Sequence, residues 1–364
     1  MMSRVRSSLA VSLMLAAACG SEDADTDTDS GAQADAGADA SSTGAAVDAG
    51  PGDAGTGSTD GGASSAGDAG GASKIVGTVG NFSVRLVPPT EASGSTAATP
   101  GYVTVAGKVY SDLVPPDLLW ADAMTSGDCK LLKPSAPFCE GGCASGSKCI
   151  ADDVCQAYPE ARDVGAVTLT GVKTTDSKSS VSLTSVLGSY GAAGTTFAYP
   201  GVTEGEEVSL NAAGGSVAAF SVKAQGVTPL VLTTTSFKLD STKPFALSWE
   251  KPGAKSDAKI RVHLDISHHG GIRGLLTCAT ADDGALEIDA SLVKGLIDLG
   301  VAGYPSIVVY RESVGSTDIG AGSVELSVYA NVEEFVEIDG VVSCTSSTDC
   351  PTGKTCNTDI KLCR

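Results

Sequence analysis

The chain has 364 residues, with 43 acidic against 24 basic side chains, a formal net charge of −19 and only 5% aromatic residues. An acidic chain without a basic cluster is a poor partner for nucleic acid or for anionic lipid headgroups, so both classes are set aside. The low aromatic content also argues against an extensive sugar-stacking platform.

The first eighteen residues read as a signal peptide. Arg4 and Arg6 precede an uncharged run from Ser7 to Ala18 rich in Leu, Val and Ala, too short to span a membrane as a structural helix. Cys19 follows, and "LMLAAAC" resembles the lipobox of bacterial lipoproteins, although Ala16 stands where leucine is commoner. The resemblance implies that the Cys19 thiol carries a lipid and becomes the mature N-terminus, so that the membrane itself is a partner. Multiple acyl chains give binding far beyond the marginal hold of one. Gly20 after the cysteine, by the sorting behaviour of Gram-negative lipoproteins, implies delivery to the outer membrane. The alternative is an ordinary secretory signal cleaved after "AAA".

Residues 19–73 read as a tether made almost entirely of Asp, Ala, Gly, Ser and Thr, with no Lys or Arg between Arg6 and Lys74. Such a segment cannot bury enough apolar surface to offset its ordering entropy, and disorder is expected. A coil of this length reaches about 40 Å on average. The alternating carboxylates Asp23, Asp25, Asp27 and Asp29 echo the spacing of a calcium loop, but Ser30 stands where the turn needs glycine and no bidentate glutamate closes the loop. A solvated acidic spacer is the better reading.

From Lys74 the pattern is all-β. Alternating runs such as "NFSVRLVPP", with Phe82, Val84 and Leu86 on one face, and "AKIRVHLDI" and "PSIVVYRE" further on, are separated by Gly, Pro, Asn, Asp and Ser clusters. Two β-sandwiches, Ig-like or jelly-roll-like, are expected at 74–238 and 239–340, with a cysteine-rich insertion at 129–160 and Trp249 in the second core. A single sandwich across both halves is the competing topology. "DASLVKGLIDLG" predicts one helix near 289–299: Asp289 or Ser291 caps it, Leu292, Leu296 and Leu299 recur at helical spacing, and Gly300 ends it.

Setting Cys19 aside leaves ten cysteines. Cys139, Cys143, Cys149 and Cys155 form one four-cysteine module, and Cys344, Cys350, Cys356 and Cys363, within residues 341–364, form a second with nearly the same spacing. Zinc sites usually need a Cys-x-x-Cys pair so that both sulfurs reach one ion, and neither module has one; the same absence removes the usual oxidoreductase motif. Disulfides in an oxidising compartment are therefore expected. Four cysteines allow three pairings, and spacing does not choose among them. The pairing adopted is first-to-third and second-to-fourth, as in many small knotted modules, which leaves Cys129 for Cys278 by subtraction. The segments "TDCPTGKTCNTDIKLC" and, more loosely, "PFCEGGCASGSKCIADDVCQAYP" resemble the modules of Gram-negative surface lipoproteins that carry an acidic low-complexity tether and repeats of the form C…DCPxGxxC…C. That resemblance covers under a third of the chain and implies surface exposure and disulfides, with no activity attached.

Catalytic signals are weak. All three histidines lie in "HLDISHHGG", where His263 and Asp265 should face solvent from a strand while His268 and His269 occupy a turn. Together they define the one candidate metal centre, a hydrolase site with open coordination positions. No nucleophile elbow or phosphate loop accompanies it, and Asp282 and Asp283 before Gly284 read as a turn. The expectation is therefore a non-enzymatic, cofactor-free envelope protein whose partner beyond the membrane is a surface protein or polysaccharide.

Overall fold

Apart from one nine-residue helix and a single 3₁₀ turn, every regular element among the described residues is a strand. The structure, a computed structural model, describes residues 77–92, 97–253 and 256–364. The signal peptide, Cys19 and the tether lie outside them. The described residues up to Thr90 and from Pro100 onward group into one compact unit, to which all the elements below belong.

The first strands are β1 (Thr78–Val87), β2 (Tyr102–Val109), β3 (Leu119–Ser126) and β4 (Cys129–Ser135), followed by a small hairpin, β5 (Ser147–Ala151) and β6 (Val154–Ala157). Next come β7 (Val167–Thr170), β8 (Ser180–Val186), β9 (Ser189–Gly191), β10 (Glu207–Ala212), β11 (Phe220–Gln225), β12 (Lys238–Leu239) and β13 (Phe245–Ser248). The remainder comprises β14 (Lys259–Asp265), β15 (Leu275–Ala281), β16 (Ala285–Ile288), α1 (Ala290–Asp298), β17 (Ser306–Asp318), β18 (Ser323–Phe335), β19 (Glu337–Ile338), β20 (Cys356–Asn357) and β21 (Leu362–Cys363).

Thirteen of these strands pair in the order β11-β10-β7-β8-β9-β2-β1-β18-β17-β14-β15-β4-β3. Every neighbouring pair is antiparallel except β1 beside β18, where Phe82 lies opposite Leu326 and Val84 opposite Val328. All four of those side chains are fully buried, as the two-residue period requires. The β11 edge returns to the outer half of β17: the Gln225 N–H donates to Ser313 Oγ at 3.0 Å. A Cβ on Gly315 would sit only 1.6 Å from the Lys223 carbonyl oxygen, so this close approach requires glycine.

The all-β class is as expected from the sequence, but hydrogen bonding does not stop at the division placed near Asp240. The strand β1 joins β18, and the hairpin β3–β4 from the first half joins β15 in the second. The insertion also begins differently from its expected span, because Cys129 opens β4 within the large sheet. Long sequence separation hides such pairings, since a strand's alternation says which face it buries but not which neighbour it meets.

Local predictions fare better. Asp289 caps α1 by accepting from the Ser291 N–H at 2.7 Å, Leu292, Val293 and Leu296 are its buried residues, and Gly300 follows at φ 94°. The helix rests on β3, β4 and β15, so close that a Cβ on Gly295 would lie 2.8 Å from Met124 Sδ. Elsewhere in the sheet, Phe82, Gly107 and Tyr190 share one cross-strand row. The Phe82 ring fills the space above Gly107 and meets Tyr190 with centroids 5.9 Å apart, an aromatic covering the bare backbone of a strand glycine.

Candidate functional site

The cysteine modules are the most distinctive local chemistry. In the first, Cys139 pairs with Cys149 and Cys143 with Cys155; in the second, Cys344 pairs with Cys356 and Cys350 with Cys363. Both are first-to-third and second-to-fourth. Each module is built around a two-stranded hairpin, β5–β6 or β20–β21, and each uses carboxylates in place of an apolar core. Asp152 and Asp153 accept from the Phe138 and Glu140 N–H groups at 3.0 and 2.8 Å. Asp349 accepts from the Ser346 and Thr345 N–H groups and the Thr345 hydroxyl, and these bonds, led by the one from Ser346, hold its carboxyl below the ordinary value of 3.8.

Both modules are docked onto the body by hydrogen bonds. Lys148 reaches the Pro116 and Asp117 carbonyls and Gln156 Nε2 donates to the Leu113 carbonyl at 2.7 Å. At the C-terminus the Gly303 N–H donates to the Ile360 carbonyl at 2.7 Å and Ser343 Oγ to the Gly303 carbonyl at 2.6 Å. The fifth bridge, Cys129–Cys278, is buried and joins directly opposed residues of β4 and β15 across 149 positions of sequence.

The histidine cluster is not assembled as a metal centre. Among the described residues, the only groups of three or more His, Cys, Asp or Glu ligand atoms within 4.8 Å of one another are cysteines, all engaged in the disulfides. His263 and Asp265 do lie on the face of β14 opposite Ile260, Val262 and Leu264, but they are half-buried rather than open to solvent. The His263 ring meets Tyr310 edge-on at 5.3 Å, and Asp265 Oδ1 accepts from the Ser267 N–H and hydroxyl at 2.7 and 2.9 Å. His268 and His269 sit in the turn, their rings 4.0 Å apart, with the Tyr304 N–H donating to the His268 carbonyl at 2.8 Å. Asp265 thus shapes its own turn, and the four groups do not converge on one point.

A second polar centre was not anticipated. Arg311 is on the core-facing side of β17, in phase with Ile307 and Val309, and is 2% exposed. Its guanidinium forks onto Asp282, with Nε to Oδ2 at 2.6 Å and Nη2 to Oδ1 at 3.1 Å. Nη1 donates to Thr228 Oγ1 and the Pro229 carbonyl at 3.0 and 3.1 Å, and Nη2 to the Glu250 carbonyl at 2.5 Å. Asp282 also accepts from Trp249 Nε1 at 2.7 Å. Asp282 is therefore a buried anion held by a fork and an indole, while Asp283 bonds to the Ala285 N–H at 3.5 Å as a turn residue. The sequence signal for this centre was a charged residue standing in phase with the apolar positions of "PSIVVYRE". With both charges compensated, the centre ties four segments together.

No protein-family model and no curated protein matches the chain. Among solved structures, the FN1-FN3 domains of chicken CNTN1 align over 68% of this chain and 84% of that one at 9% identity, with a TM-score of 0.18, too low to carry an argument.

Proposed function

We propose that this chain is an exported, lipid-anchored cell-envelope protein of the outer membrane, with a non-catalytic binding or structural role at the cell surface. The observation that carries the reading is the pairing of all ten cysteines from Cys129 onward into five disulfides. Thiols are kept reduced in the cytosol, and small modules without apolar cores need these bridges to hold together. Cys19, the eleventh cysteine, is then the residue left for the lipid. A surface protein or polysaccharide is the partner in this reading.

The test is fractionation of cells expressing wild type and Cys19→Ala, with cross-linking on intact cells to identify what the wild type touches. Release of Cys19→Ala into the soluble fraction is expected. Continued membrane retention of that variant would overturn the anchor.

A further inference from the structure

The turn between β8 and β9 presents a leucine where backbone and solvent both disfavour one. Val186 and Ser189 pair across a two-residue loop, and Leu187 and Gly188 both have positive φ, at 52° and 76°. That is the left-handed geometry of a type I′ turn, which favours Asn-Gly. A γ-branched apolar side chain there is out of place on conformational grounds. It is also 95% exposed, and Val186 beside it is 67% exposed. The back of the turn rests on the body, since a Cβ on Gly188 would lie 2.6 Å from Ala161 Cβ, so the two apolar side chains project outward.

The position of this tip in the sheet says what it meets. Ser189 lies beside Lys108 and Lys108 beside Asn81, so the tip stands about 10 Å to the side of β1 at the usual strand spacing. Running from Gly191 to Ser189 follows β1 back from Ser83 to Asn81. The tip therefore projects from the end of the sheet at which the chain enters β1 from the N-terminal side. For a protein tethered through its N-terminus, that is the end at which the tether joins the body. Two side chains bury far less than the roughly 1,200 Å² of a stable protein interface. At a bilayer to which the body is already tethered, effective concentration supplies the rest, and a small apolar tip is sufficient.

We propose that Val186 and Leu187 form a bilayer-contact tip that seats the body, tether end down, on the membrane; this rests on the lipid-anchor reading above. The full-length lipidated protein is reconstituted into zwitterionic phosphatidylcholine vesicles, with or without bromine on the acyl chains, as Leu187→Trp and as Phe335→Trp. Phe335 is 74% exposed at the far end of β18, twelve residues from Ser323, and serves as the distal reference. Bromine should lower the emission of Leu187→Trp about twofold, as expected for a side chain placed in the acyl boundary, and leave that of Phe335→Trp unchanged. Trp120 and Trp249 are common to both variants and cancel. Protein that floats with vesicles but shows no quenching at 187, or equal quenching at 187 and 335, would overturn the contact while leaving the anchor in place. Protein that does not float would overturn the anchor and the contact with it. Val186→Trp provides the same reading should Leu187→Trp not fold.

Discussion

A guanidinium has five N–H donors and no acceptor, and burying one is tolerable only when each donor finds an oxygen. Arg311 meets that demand with the two Asp282 oxygens, Thr228 Oγ1 and the Pro229 and Glu250 carbonyls. Arg311→Ala leaves Asp282 as a buried unpaired charge and should cost about 3–5 kcal/mol, read from urea unfolding. An isolated buried ion pair is often replaceable by two apolar residues at little cost. Here the double variant Arg311→Met, Asp282→Leu should remain destabilised by at least about 2 kcal/mol, because the Trp249 N–H and two backbone carbonyls lose their partners. A double variant as stable as wild type would show that those secondary bonds contribute nothing. Asp163 illustrates the milder, exposed case: the Gly165 N–H, and after it the Tyr190 hydroxyl, hold its carboxyl below the ordinary value.

Among the elements, those set by contiguous residues were legible and those set by distant partners were not. The helix was readable because its cap, its spacing and its terminating glycine all lie within a dozen residues, and the alternation of β1 and β14 named their core faces correctly. The β8–β9 hairpin was not legible as a hairpin, since nothing local marks an apolar turn residue as exposed. Its conformation makes a separate prediction. Leu187→Asn supplies the residue type that a left-handed turn prefers, so the purified protein should gain about 0.5–1 kcal/mol of stability, seen as a higher unfolding midpoint. An unchanged or lower midpoint would mean that the leucine is not strained. A stabilising exchange to a polar side chain at a fully exposed site is what a position retained for contact, rather than for folding, would show.

At the scale of the whole molecule, the Cys129–Cys278 bridge fastens the β3–β4 hairpin of one half to β15 of the other. A loop of 149 residues closed by one bond should contribute about 4–5 kcal/mol, mainly by restricting the unfolded chain. Cys129→Ser with Cys278→Ser should therefore lower the main calorimetric transition. Cys344→Ser with Cys356→Ser, which opens a loop spanning only 12 positions at the periphery, should leave that transition near its original temperature while loosening the C-terminal module. Equal losses from the two pairs would contradict the view that one bridge serves the sheet and the other a local module.

What the sequence determined by itself was the all-β class, the helix, and which face each strand buries. Those are consequences of local periodicity and capping. Only the tertiary structure decided that β1 lies parallel to β18 across the expected division, that Arg311 and Asp282 meet in the interior, and that the histidines do not gather around one point. It also placed Leu187 at the end of the sheet where the chain enters β1. Each of these depends on which segments, separated by tens to hundreds of residues, come to share a neighbour, and a period of two leaves that choice of neighbour open.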